Sequence, residues 1–217
     1  MSGSTMQSLE DLKRSISALH RSGDPIDDDD LDARIGLSPS AAEPRETLGD
    51  LLVTYGQHRL YRADLPYAVL RDLFRLLDLP AGATLLDLGS GYGRVAFYGY
   101  LLLGARVCGI ELVRERVAEA RRAQQRLGLS ELDFRCGDAA TADWPETSHY
   151  CVLNAFIPSV LPRVVDRLEE IARRRRIVIA SVSTSNLAFD RLPWLEKTAS
   201  APTMFGSTMG LQVFASK

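Results

Sequence analysis

From about residue 64 onward, short apolar runs of strand length alternate with amphipathic stretches of helix length, and few folds are open to a chain built that way. Asp64-Leu65-Pro66 opens a helix carrying Val69, Leu70, Leu73, Phe74, Leu76 and Leu77, with Pro66 tolerated in the first turn. Thr84-Leu85-Leu86-Asp87-Leu88 is short, apolar and followed by glycines, as a strand buried on both faces should be. A helix over about Tyr92 to Leu103 follows, then a strand over 105–110. A helix from Arg114 to Leu127 is stopped by Gly128. Residues 132–136 and 149–153 read as the third and fourth strands, 161–173 as a helix and 176–181 as a fifth strand. Leu195 to Ala201 and Leu211 to Ala215 are strand-like, and the loop between them is too poor in helix formers for a parallel crossover. The expected fold is α/β: a doubly wound, mostly parallel seven-stranded sheet with a C-terminal antiparallel hairpin, preceded by a small helical N-terminal arm.

The arm is set apart by composition. Leu9, Leu12, Ile16 and Leu19 recur at helical spacing, giving one amphipathic helix after the cap candidates Ser4 and Thr5. Asp24-Pro25-Ile26-Asp27-Asp28-Asp29-Asp30 then repels itself and has little to bury, so it is expected to be a mobile linker. The predicted organisation is residues 1–46, an amphipathic helix and acidic linker, and residues 47–217, the α/β domain.

Chemistry concentrates at strand ends. Glycines in Asp87-Leu88-Gly89-Ser90-Gly91-Tyr92-Gly93 let the backbone turn tightly and let a ligand approach with no Cβ in the way. Ligands of open α/β sheets sit beyond the carboxyl ends of the strands, where this loop must lie. Asp87 suits a cationic ligand end better than a pyrophosphate. Glu111 closes the second strand, where an acid can accept hydrogen bonds from both ribose hydroxyls. Gly137-Asp138-Ala139 follows the third strand, where a carboxylate or a backbone amide can meet an adenine edge.

These residues carry a resemblance. The loop 87–93, Gly109-Ile110-Glu111 and Gly137-Asp138 resemble the sequential motifs of the class I, seven-stranded methyltransferases that use S-adenosylmethionine (SAM). The resemblance covers roughly residues 64–215 and implies SAM as cofactor, held by Asp87, Gly89, Ser90, Gly91, Glu111, Asp138 and Ala139. Within that superfamily, Tyr55-Gly56-Gln57, the Asp87 loop, Leu153-Asn154-Ala155-Phe156 and residues 176–181 are similar to segments of the non-SET histone-lysine methyltransferases. In that family the upstream Tyr-Gly segment covers the cofactor and the Asn-containing segment lines the channel to the acceptor amine. The likeness thus implies a cofactor role for Tyr55 and acceptor roles for Asn154 and Phe156. Gln57 stands where that family has an acid, and Ala155 where it has a second Asn.

Methyl transfer from a sulfonium is an in-line displacement, so the protein mainly aligns donor and acceptor and keeps the nucleophile neutral. Asn154 can accept a hydrogen bond from an amine without adding charge, and Phe156 and Tyr92 can wall a channel. His58 and His149 are poorer candidates for a base. The acceptor expected is an amine, a protein lysine or a group on a small molecule. A non-catalytic cofactor binder and a nicotinamide-dependent oxidoreductase stay open beside it, although a terminal hairpin counts against a dehydrogenase.

A net charge of −2 gives no general pull toward nucleic acid, and the basic clusters at 114–126 and 173–176 lack interleaved aromatics for stacking bases. No apolar stretch approaches the roughly 20 residues that span a bilayer, and the first residues lack the blocks of a signal peptide. Cys108, Cys136 and Cys151 sit in apolar runs and have no paired spacing, so reduced, buried thiols in a cytoplasmic protein are expected and no metal site is. The sequence carries no signal for or against self-association.

Overall fold

The computed structural model describes residues 9–39, 65–203 and 206–217, with backbone only at 206–208. The strands are β1 (Thr84–Leu88), β2 (Arg106–Glu111), β3 (Leu132–Cys136), β4 (His149–Leu153), β5 (Val178–Val182), β6 (Leu195–Thr203) and β7 (Gly206–Ser216). They form one seven-stranded sheet in the order β3-β2-β1-β4-β5-β7-β6. The first five are parallel, whereas β7 runs antiparallel between β5 and β6. The described helices are α1 (Leu9–Ser22), α2 (Asp28–Ile35), α3 (Tyr67–Leu76), α4 (Arg94–Leu103), α5 (Arg114–Leu127), α6 (Leu161–Ala172) and α7 (Thr184–Phe189). The expected α/β fold, hairpin included, is the observed one.

The central strands alternate between two buried layers, because helices cover both faces of the sheet there, whereas the edge strands β3 and β6 are partly exposed. Leu85, Cys151, Leu153, Ala180 and Val182 face the layer built with α1–α5. Leu86, Leu88, Tyr150, Val152 and Ile179 face the layer built with α6 and α7. The crossing point of chain order lies between β1 and β4, since β1 passes to β2 on one side while β4 and β5 continue on the other. A crevice opens there beyond the carboxyl ends of the strands.

The acidic stretch expected as a mobile linker is a helix over Asp28–Ile35. Asp27 has extended backbone, and its carboxylate accepts from the N–H groups of Asp29 and Asp30. Asp28, Asp29 and Asp30 occupy the first turn, where negative charge offsets the positive end of the helix dipole, and Gly36 closes the helix in the left-handed region at φ 85°. Charges that repel in an extended chain thus become a capped helix start. Leu31, Ile35 and Leu37 are buried in the same core as Leu12 and Ile16 of α1. The expected boundary at 46/47 falls outside the described residues.

Candidate cofactor site

The glycine loop is tied down by its own amides. The N–H groups of Gly89 and Ser90 both donate to the Ile110 carbonyl, at 2.8 and 3.1 Å, and the Gly93 N–H donates to the Ser90 carbonyl at 2.8 Å. Gly91 donates to Glu111 Oε2 at 2.9 Å. Two glycines make this docking possible. A Cβ on Gly89, at φ 83°, would lie 2.2 Å from the Ala155 Cβ, and one on Gly109 would lie 2.7 Å from Ser90 Oγ. With those four amides spent inside the protein, the loop is no cradle for a pyrophosphate, which needs donors pointing outward. Gly91 faces open space at φ 55°, with nothing within 4 Å of where its Cβ would be.

A cavity opens against this loop, with Asp87, Gly89, Ser90 and Gly91 on one side. Tyr92, Arg94 and Val95 from the start of α4, Leu65 and Leu70 from around α3, and Leu153 from the end of β4 complete it. Asp87 is buried with its Oδ2 lacking a hydrogen-bond partner, as is Ser90 Oγ. Orphaned buried acceptors are costly and rare, so a carboxylate and a hydroxyl left so beside a cavity fit a ligand that brings its own donor. Burial, and then the charge of Glu111, pushes the Asp87 carboxyl up to about 7. A ligand ammonium beside it would restore the ionised form. These acceptors suit the ammonium-bearing end of SAM and do not suit a dinucleotide's pyrophosphate.

Glu111 closes β2 and is buried at 5 % exposure. Its Oε2 accepts from Gly91, its Oε1 accepts from the Val113 N–H at 2.9 Å, and Arg116 stands 3.6 Å from Oε1. It therefore anchors the loop. Asp138 and Ala139 lie in a turn after β3, outside the cavity lining. The Asp138 Oδ1 accepts from the Ala140 N–H, while the Ala139 carbonyl accepts from Arg167 and from Trp144 Nε1, both at 2.9 Å. The Gly137 N–H donates to the Glu111 carbonyl, bringing that turn beside Glu111.

Asn154 and Phe156 do not line the cavity, but Leu153 before them does. Asn154 is exposed at φ 57°, and Phe156 is half-buried against the layer of α6 and α7. Tyr92, a candidate wall, is buried and lines the cavity. Tyr55 and His58 lie outside the described residues. Among the described residues, no cluster of His, Cys, Asp and Glu could hold a metal ion, and no helix is long and apolar enough to cross a membrane.

The sequence reading missed Arg94 and Ser183. Arg94 lines the cavity and is held from α2, an element whose acids looked like a solvated run. Ser183 follows Val182, which pairs with Leu153, so it stands level with Asn154 at the next strand end. Its φ of 67° and ψ of −139° are a conformation that non-glycine residues rarely hold, and such strain gathers at functional sites. No local pattern announces either residue.

Residues 85–176 match the family described as methyltransferase domain. Over 115 residues the chain is 32 % identical to a protein-L-isoaspartate O-methyltransferase of Geobacter metallireducens, covering 52 % of this chain and 51 % of that protein. It is 29 % identical over 103 residues to an aklanonic acid methyltransferase of a Streptomyces species, covering 45 % and 47 %. The chain thus spans about half the length of these two curated relatives. An RNA methyltransferase from Salinibacter ruber, solved with S-adenosylhomocysteine (SAH), superposes with a TM-score of 0.54 at 25 % identity, over 70 % of this chain and 92 % of that one. A parallel sheet closed by an antiparallel hairpin, a loop with its amides turned inward and these likenesses agree: residues 85–176 are a methyltransferase domain on a class I, Rossmann-like sheet, and SAM is the cofactor such a domain implies.

Proposed function

We propose that this protein transfers the methyl group of SAM to an amine nitrogen beyond the carboxyl end of β4, and that the amine belongs to a protein lysine. The observation that carries this reading is Asn154, an exposed amide one residue beyond the cavity wall at Leu153. When bound, the cofactor supplies an electrophilic methyl on a positively charged sulfur. The protein's own part is alignment and dryness. Asn154 accepts a hydrogen bond from the neutral amine and turns its lone pair toward the donor, adding no charge that would hold a proton on it. A lysine, with a reference pKa near 10.4, loses its proton when its charged form leaves water, and half-buried Phe156 beside Asn154 favours that loss.

In the same reading Asp87 receives the ammonium of the methionyl end and Ser90 a further donor. Glu111 keeps its bonds to Gly91 and Val113 and offers its remaining lone pairs to the ribose. Asp138 and Ala139 border the adenine. The relatives' names span a protein and a small-molecule acceptor, so the test must separate the two. The thiols of Cys108 and Cys151 are buried, whereas Cys136, expected to be buried too, is exposed at the end of the edge strand β3; three unpaired thiols accord with a reducing setting.

The protein is incubated with radiolabelled SAM and a cell extract, and protein is separated from small molecules. Label on protein, base-stable and on lysine, is expected; label confined to small molecules replaces the lysine reading with a metabolite one. Asn154→Ala is expected to lower kcat by about ten- to a hundredfold with SAH affinity nearly unchanged, because the residue aligns the acceptor and does not hold the donor. An equal loss of SAH affinity would move Asn154 from the acceptor side to the cofactor side.

A further inference from the structure

Arg94 is the first residue of α4, directly after the glycine loop, and forms part of the cavity wall. Its guanidinium is held on three sides. Nε donates to Asp32 Oδ1 at 3.0 Å, and Nη2 makes a second bond to Asp32 Oδ2, so the α2 carboxylate grips it in bidentate fashion. Nη1 donates to the Leu65 carbonyl at 3.1 Å, and Leu65 is itself cavity wall. The guanidinium also lies 5.0 Å over the Tyr67 ring. Tyr67 completes the network: its hydroxyl donates to Asp32 Oδ1 at 2.8 Å and its N–H donates to Asp28 Oδ1 at 2.9 Å. Asp28 Oδ2 stands 3.6 Å from Arg94 Nη1. Asp32 is 3 % exposed and Arg94 9 %.

Two acids beside one guanidinium leave little positive charge to offer a ligand carboxylate, so Arg94 works as wall rather than as receptor. What it transmits is position. A helix of the length of α2, 8 residues, is not stable alone in water; it is helical because Leu31 and Ile35 are buried and Asp32 is bound. Only the docked arrangement of α2, with Arg94 clamped, has the cavity wall described here, and any local loosening of α2 releases Arg94. A ligand that touches the wall favours the docked state by its differential affinity, and docking favours the ligand by the same factor.

We propose that Asp32 is a positioning residue of the cofactor site, making the docking of α2 and the binding of cofactor one equilibrium through Arg94. This rests on the reading that SAM occupies the cavity beside Gly91. Asn at position 32 keeps the shape but loses the charge and sets an amide N–H against a guanidinium N–H. Asp32→Asn, Arg94→Gln and the double variant are titrated calorimetrically with SAH, each well below its own melting temperature. The expected result is a loss of SAH affinity of about tenfold or more in each single variant, with the double variant no worse than the weaker single one. In the wild type, adding SAH should slow hydrogen exchange at the amides of 28–37 and leave those of α6 unchanged. A lowered melting temperature with SAH affinity within about twofold of wild type would make Asp32 merely structural and overturn the proposal. So would exchange at 28–37 that ignores SAH. Gly91→Val separates the two readings: if it abolishes SAH binding while Asp32→Asn does not weaken it, the positioning role alone falls. If neither variant weakens binding, the cavity is not the cofactor's place and both readings fall.

Discussion

Asp87 is 2 % exposed, its carboxyl raised to about 7 from an ordinary 3.8, by burial first and by the Glu111 charge second. In the unfolded chain it releases its proton near pH 4, and in the folded protein only near pH 7. Between those values the folded state holds the extra proton, so this group's contribution to stability falls as pH rises and its full cost is present above about pH 7. Asp87→Asn should therefore raise the melting temperature of the ligand-free protein distinctly more at pH 8 than at pH 5, where only about the first third of the cost has accrued. At about 1.4 kcal/mol per pKa unit, the stabilisation at pH 8 is on the order of a few kcal/mol. The same change should cost SAH affinity, since the amide cannot pair with an ammonium as a carboxylate does. Thermal melts at the two pH values decide it, and equal shifts at both would mean that Asp87 is ionised throughout. Asp87 was legible as a candidate because an acid in a buried strand just before glycines is a local pattern. The burial and the nearby Glu111 charge that give it this pH dependence were not, since they depend on what surrounds Asp87 in space.

The βα elements from α3 to β5 stand where periodicity put them, with shifts of a residue or two at their ends, because each writes its own burial pattern along the chain. The hairpin strands are longer than their apolar cores suggested, since most of β6 is exposed and paired on one edge only. Two helices went unread for different reasons. In α2 the buried ion pair joins Asp32 to Arg94 across 62 residues, so no window of sequence contains both partners. In α7, 6 residues of Thr184–Phe189 are too few to show a period. The loop–helix junction yields a test at this scale. Gly89→Ala places a Cβ 2.2 Å from that of Ala155 and asks alanine to adopt a φ of 83°. A loss of more than about 2 kcal/mol of stability is expected, together with weaker SAH binding. Ala155→Gly in the same chain should recover part of it by removing the clash while leaving the φ strain. No recovery would mean that strain alone accounts for the loss.

For the whole molecule, the arm belongs to the core. Leu12, Ile16, Leu31, Ile35 and Leu37 are all below 5 % exposure and share a cluster with α3 and α4. At about 1.5–3 kcal/mol for each such side chain, their burial is worth on the order of 10 kcal/mol, comparable with the net stability of a domain. Removing residues 1–39 should therefore leave an insoluble or molten protein rather than a slightly weakened one. A truncated chain that melts cooperatively within a few degrees of the full one would show that α3 and α4 close over the gap. The sheet order has a consequence of another kind, for synthesis on the ribosome. Its parallel strands can join in the order in which they emerge, but β6 leaves the ribosome before β7 and has no neighbour until β7 arrives. At about 5–20 residues per second, the open flank of β5 waits only briefly, yet during that wait it is an unpaired strand able to recruit another nascent chain. A ribosome that stalls within 206–216 would therefore release a chain whose five parallel strands are all present and whose sheet is still unfinished.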